Sequence, residues 1–270
     1  MANFELCLVM AQRYVRIKTN REQIYYGLLK ANRSVSIYDA PPWLGGQETD
    51  LEQEPDTYQI LTPCVPSKIV AVGKNYLKHA AEMGTPVPKE PLLFLKPPTT
   101  IVADGRDIHY PPQSQQVDYE GELALVIGDR CSQADRERAA KSIWGYTIAN
   151  DVTARDLQKK DGQWTRAKGF DTFCPIGPWI VRELSVEARI QTFVNDEKQP
   201  RQSASIAEMV FQPDLLVSYI SQVMTLLPGD VILTGTPEGV GAIKPKDTVR
   251  IEIEGIGSLS NQIKKSLLNF

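Results

Sequence analysis

Short apolar runs, broken by glycine, proline and polar turns, set the texture of this chain. Over the first 60 residues the pattern predicts strands at 6–9, 14–17 and 33–38, with helical spacing at 22–32. Residues 39–56 are rich in proline, glycine and acidic side chains and read as a loop or linker. A denser pattern begins at Pro66. It predicts strands at 68–72, 92–95, 118–128, 143–150, 231–233 and 248–253, and alternation over 186–196 that ends in an Asn195-Asp196 turn. Helical spacing recurs at 76–83, 134–142 and 213–227. Strand and helix do not alternate strictly, and no G-x-G-x-x-G follows the first strand, which disfavours a doubly wound nucleotide-binding fold. A strand-rich α+β fold is expected. Residues 1–60 form a small accessory unit and 61–270 the main domain.

Composition narrows the function. The chain has 270 residues and a formal charge of −3, which argues against a nucleic-acid partner or an anionic membrane surface. It contains no run of 18 apolar residues to span a bilayer. The apolar run near the start is too short for a signal peptide, and the four cysteines form no Cys-x-x-Cys pair, so a cytoplasmic protein with reduced thiols is expected. With only two histidines, His79 and His109, a three-histidine site within one chain is excluded.

Four constellations carry chemistry. In Glu120-Gly121-Glu122, residues two apart on a strand share a face, so both carboxylates point to one side. Gly121 allows close approach to the backbone between them. Such a pair holds a cation or a shared proton, or else decorates a solvated strand edge. Asp151 follows Asn150 where an apolar strand opens into a loop. It serves as a third oxygen ligand or as the cap of a helix starting near Thr153. Three carboxylates suit Mg²⁺ or Mn²⁺, or Ca²⁺ with looser geometry. His79 and Glu82 share a helix face, either as a carboxylate-oriented general base or as a surface hydrogen bond. Thr234-Gly235-Thr236-Pro237 and Gly239-Val240-Gly241 form a glycine-rich turn, able to offer backbone N–H groups and hydroxyls to an anion or simply to build a tight loop. Lys168 adds a cation beside the site.

The blocks VGKNYLKHAAEMG (72–84), FLKPPTT (94–100), DYEGELALVIG (118–128), GYTIANDVTARDLQ (145–158), KGFDTFCPIGP (168–178) and LLPGDVILTGTPEGVG (226–241) occur in one order. Together they resemble the fumarylacetoacetate hydrolase family, and within it the acylpyruvate-hydrolase and oxaloacetate-decarboxylase-like branch. The resemblance covers roughly residues 65–265. It implies a mixed β-sandwich roll and a homodimer. It also implies a divalent ion, Mg²⁺ first, on Glu120, Glu122 and Asp151, with Lys168 beside it. His79 and Glu82 match the pair that activates water, and Gln158, Thr236 and Gly235 fall in the blocks that meet the substrate. The implied reaction is C–C hydrolysis or decarboxylation of a small 2-oxo acid through a metal-stabilised enolate. Isomerisation or hydration of dienoates, or oxaloacetate tautomerisation, are alternatives on the same scaffold. A non-catalytic binding protein would lack the carboxylates or the lysine. Position 74 is Lys where many relatives carry Arg, and 99–100 is Thr-Thr where Ser often stands first. Residues 76–83 often act as a lid in the family.

Overall fold

A computed structural model describes residues 12–266. The strand expected at 6–9 lies outside the described residues. Ten strands run in hydrogen-bonded order through a 12-stranded sheet, which spans the molecule from Glu48–Gln53 at one edge to Leu92–Lys96 at the other. Its centre is the neighbouring set Cys174–Val181, Ile143–Asn150, Gly121–Ile127, Val231–Leu233 and Ile69–Gly73. A five-stranded sheet (Gln202–Ser205, Arg189–Val194, Thr248–Ile253, Gly257–Lys265, Ile108–Tyr110) packs against it, and a three-stranded one joins Val117–Tyr119 to Thr153–Ala154 and Gly241–Ile243.

Gly121–Ile127 shows why the central strands read as unbroken apolar runs, since both of its faces are buried. Leu123, Leu125 and Ile127 enter the larger core with Val70, Val72 and Ile232, and with Leu216, Val217 and Ile220 of the helix Pro213–Val223. Ala124 and Val126 point the other way, into a core with Ile69, Ala71, Ile176 and Trp43. The strand-rich α+β expectation holds. No helix among the described residues is long and apolar enough to cross a membrane.

The local readings hold at 143–150, 231–233 and 248–253, where the strands carry those bounds. Helices occur at Leu77–Glu82, Arg136–Ser142 and Pro213–Val223, within the expected ranges.

Three readings are corrected. Residues 22–32 are not helical: Ile24–Leu29 is a strand, paired with Arg13–Thr19 and Val35–Tyr38. Gly27 lies so close to the neighbouring strand that a Cβ there would sit 2.4 Å from the Ser36 carbonyl oxygen. The β-prone Ile24, Tyr25 and Tyr26 find partners on both sides, and pairing overrides spacing. Within 39–56, Glu48–Gln53 is the sheet's edge strand rather than linker, its polar, acidic sequence suiting a strand with one free side. The stretch 118–128 is two strands, Val117–Tyr119 and Gly121–Ile127, which belong to different sheets and meet at Glu120.

The leading strands join the main sheet through Tyr14, which pairs with Ile180.

Candidate active site

That change of sheet builds the site. Glu120 occupies the corner, its N–H donating to Asn150 Oδ1 at 2.9 Å and its carbonyl accepting from Asp151 N at 2.8 Å. Gly121 tolerates the crowding behind, where a Cβ would lie 2.3 Å from Thr192 Oγ1. The expected close approach is therefore made by the protein itself. Glu122 lies opposite Ala149 on the adjoining strand, one residue short of Asn150-Asp151. Glu120, Glu122 and Asp151 are all buried, and one carboxylate oxygen from each lies within 4.8 Å of the others. Asp151 does not cap a helix: the next one, Arg155–Asp161, starts after Ala154 with no side-chain cap.

Among the described residues, three buried cations surround these carboxylates. Lys168 Nζ, on the short helix Thr165–Lys168, donates to Glu120 Oε2 at 2.8 Å and Asp151 Oδ2 at 2.5 Å. Lys96 Nζ donates to Asp151 Oδ1 and to the Lys168 carbonyl, both at 2.6 Å. Arg155 gives Nε to Asp118 at 2.8 Å, one terminal nitrogen to Glu120 and the other to Gln158 Oε1 at 2.7 Å.

Burial would push the Glu120 carboxyl up, but Lys168 and then Arg155 outweigh it and hold the group well below the usual range. For Lys168 burial opposes the charge, and Asp151 and Glu120 prevail, raising it. Glu122 behaves in the opposite way. Burial, then the neighbouring Asp151 and Glu120, push its carboxyl well above the ordinary value. Among the described residues no lysine or arginine pairs with Glu122, and its Oε2 accepts only the Gly235 N–H, at 2.6 Å. Three converging hard oxygen donors, one of them without a cationic partner, fit a divalent metal ion. Glu120, Glu122 and Asp151 would hold it.

A cleft opens over this centre. His79 enters from one side, buried, with Nδ1 3.1 Å from Glu82 Oε2. Glu82 Oε1 accepts the Gly239 N–H at 3.0 Å, which ties the helix Leu77–Glu82 to the glycine-rich turn. Gly239 has φ +92°, and a Cβ there would collide with the Arg201 carbonyl, so the turn depends on glycine. Phe94 and Trp164 stand in the cleft wall, edge to face at 5.1 Å.

Glu120, Glu122, Asp151, Lys168, His79, Gln158 and Thr236 thus line one cleft, as their grouping in the sequence suggested. Glu82 and Gly235 stand behind it, orienting His79 and Glu122. The Thr236 hydroxyl is committed to the protein, donating to the Gly121 carbonyl at 2.9 Å and accepting from Gln202 Nε2 at 2.7 Å. Sequence reasoning missed Lys96, Arg155 and Gln202. A lysine closing the apolar strand Leu92–Lys96 was the available signal for the first; nothing local marks Gln202.

Residues 68–264 match the family described as fumarylacetoacetate (FAA) hydrolase C-terminal, and residues 12–63 match one described as Rv2993c-like, N-terminal. The chain belongs to the fumarylacetoacetate hydrolase family. It is 50% identical over 209 residues to protein Rv2993c of Mycobacterium tuberculosis, covering 76% of this chain and 78% of that one. It is 44% identical over 211 residues to the mitochondrial oxaloacetate tautomerase FAHD2A of Bos taurus, covering 73% and 67%. The structure of a 5-carboxymethyl-2-hydroxymuconate delta-isomerase from Mycobacterium smegmatis superimposes with a TM-score of 0.87 at 43% identity, covering 94% and 100%. A fumarylpyruvate hydrolase from Pseudomonas aeruginosa, in complex with Mn²⁺ and pyruvate, gives 0.70 at 34% identity, covering 77% and 92%. The chain is a fumarylacetoacetate hydrolase-family enzyme whose relatives include isomerases, tautomerases and hydrolases.

Proposed function

We propose that this enzyme uses a divalent metal ion to move a proton beside the carbonyl of a small 2-oxo acid, and that keto–enol tautomerisation of oxaloacetate is its reaction. The observation that carries this reading is His79, buried in the cleft wall with Nδ1 on Glu82. Glu82 keeps the Nδ1 proton in place and leaves Nε2 as the basic nitrogen facing the cleft. Nε2 takes the proton from C3, the electron pair forms the C2–C3 double bond, the 2-oxo oxygen takes a proton from solvent as it becomes a hydroxyl, and His79 returns the C3 proton to solvent. A divalent ion on Glu120, Glu122 and Asp151 would supply Lewis-acid polarisation of the 2-oxo and carboxylate oxygens. Lys168 adds positive charge where the 2-oxo oxygen becomes electron-rich. Thr236, its hydroxyl engaged, offers the substrate its backbone N–H. The similarity to the oxaloacetate tautomerase supports the same choice.

Hydrolysis of an acylpyruvate is the second reading. It is favoured by the likeness to the fumarylpyruvate hydrolase and by the same His79–Glu82 pair, which suits water activation equally well. We further read residues 1–60 as an accessory unit and 61–270 as the catalytic domain, since the described residues that line the cleft run from Val72 to Thr236. The homodimer is proposed from the family resemblance.

A panel assay with Mg²⁺ or Mn²⁺ separates the readings. It compares kcat/KM for oxaloacetate tautomerisation with cleavage of acetylpyruvate and fumarylpyruvate and isomerisation of a dienoate. Oxaloacetate leading by tenfold, about 1.4 kcal/mol in the barrier, supports the proposal. A tenfold lead for any other substrate overturns the assignment.

A further inference from the structure

Among the described residues, one cation that lines the cleft has no protein partner. Lys168 is spent on Glu120 and Asp151, and Arg155 on Asp118, Glu120 and Gln158. Lys74 also lines the cleft, yet its side chain makes no hydrogen bond or ion pair with any described residue. It is partly buried, and no described residue supplies it with a counter-ion.

The backbone presents this lysine at a cost. Lys74 has φ +60°, in the left-handed region that residues with a Cβ rarely enter. Its flanks are clamped, which is how such a conformation persists. On one side Gly73 pairs with Leu92 and lies so close to Trp164 that a Cβ would be 2.7 Å from the ring. On the other, buried Asn75 holds three backbone groups: its side-chain NH₂ donates to the Phe211 carbonyl at 3.0 Å and the Thr234 carbonyl at 2.7 Å, and its oxygen accepts from Phe211 N at 2.7 Å. Two fixed neighbours thus force the turn that sets Lys74 in the cleft wall, and Thr234 belongs to the turn that carries Gly235 and Thr236.

We propose that Lys74 is a specificity residue that pairs with the distal carboxylate of a dianionic 2-oxo acid. The inference rests on the reading of the cleft as a 2-oxo acid site and goes beyond it by selecting dicarboxylates over monocarboxylates. The carboxylates, Lys168 and His79 serve the 2-oxo end of any such acid, and none distinguishes a second carboxylate. Lys74 does so by charge. Because any residue with a Cβ bears the same left-handed cost, Lys74→Met removes the charge while leaving the backbone demand unchanged.

The test is calorimetric titration of the Mn²⁺-loaded full-length chain with pyruvate and with freshly prepared oxaloacetate. The natural protein prefers oxaloacetate by about tenfold, an ordinary magnitude for one added charge-assisted hydrogen bond. Lys74→Met brings that ratio close to one, and Lys74→Arg preserves most of it. An unchanged ratio in Lys74→Met, or a natural protein that binds both acids without preference, overturns the inference alone. A natural protein that binds neither acid removes the 2-oxo acid reading and the inference with it.

Discussion

Lys96 Nζ meets Asp151 Oδ1 at 2.6 Å with both side chains buried, and the same ammonium donates to the main-chain carbonyl of Lys168 at 2.6 Å. One buried cation therefore positions both a candidate metal ligand and the lysine that works beside it. Removing one partner of a buried pair leaves the other uncompensated. Lys96→Met is expected to lower stability by about 3 kcal/mol, read from the urea midpoint. It should also weaken Mn²⁺ binding by about 10–100-fold, as changes just outside a metal's ligands do. A stable variant with unchanged Mn²⁺ affinity would show that Lys96 holds neither group.

Glu122 gives a prediction with two opposed signs. Its carboxylate is buried beside Asp151 and Glu120 and lacks a cationic partner among the described residues. Glu122→Gln keeps an oxygen to accept the Gly235 N–H and removes the crowded charge. In protein stripped by a chelator, the variant should melt above the natural chain. With saturating Mn²⁺ the order should reverse, because a ligand that binds only the folded state stabilises it more the more tightly it binds, as the logarithm of its concentration over Kd. The same order in both conditions would remove Glu122 from the metal site.

His79→Ala should lower turnover by about 10²–10⁴-fold, the range of a general base, while Mn²⁺ affinity stays within about twofold, since the imidazole is outside the carboxylate set. Glu82→Gln, which retains hydrogen-bonding capacity but not charge, should fall between the variant and the natural enzyme. Loss of metal binding in His79→Ala would mean that the histidine is a ligand instead.

Much of this site was legible in the sequence because its residues fall in compact blocks whose order alone carries information. Glu120, Glu122, Asp151 and Lys168 come together as expected. The route to that geometry was not legible. Strand alternation suggested one shared face, whereas Glu120 sits at a corner between two sheets. Residues 22–32 failed for a related reason: helical spacing in a short window competes with pairing partners on both sides, which no local pattern reveals. Gln202 is invisible from its neighbours, because it acts by linking Gly121 to Thr236 and Pro237 across long sequence separations. Lys96 was hidden by its type, since lysine is among the residues least often buried.

The thiols supply a check on the fold that is independent of the site. Burial pushes Cys64 and Cys174 up to about 12, so at pH 8 the thiolate fraction of each is about 10⁻⁴. Iodoacetamide should leave both unmodified in the native protein and label both in urea, as read by peptide mass spectrometry. Rapid native labelling at either position would contradict the packing of the sheet around them.

The most direct test of the account is deuterium exchange into the methyl group of pyruvate, followed by proton NMR in D₂O. Pyruvate offers the 2-oxo acid end and nothing to cleave, so exchange reports proton removal beside the carbonyl alone. The account predicts exchange that requires added Mg²⁺ or Mn²⁺, is abolished by chelation, and falls by about 10²-fold or more in His79→Ala. Exchange by the metal-loaded natural enzyme no faster than that catalysed by the free metal ion would contradict it.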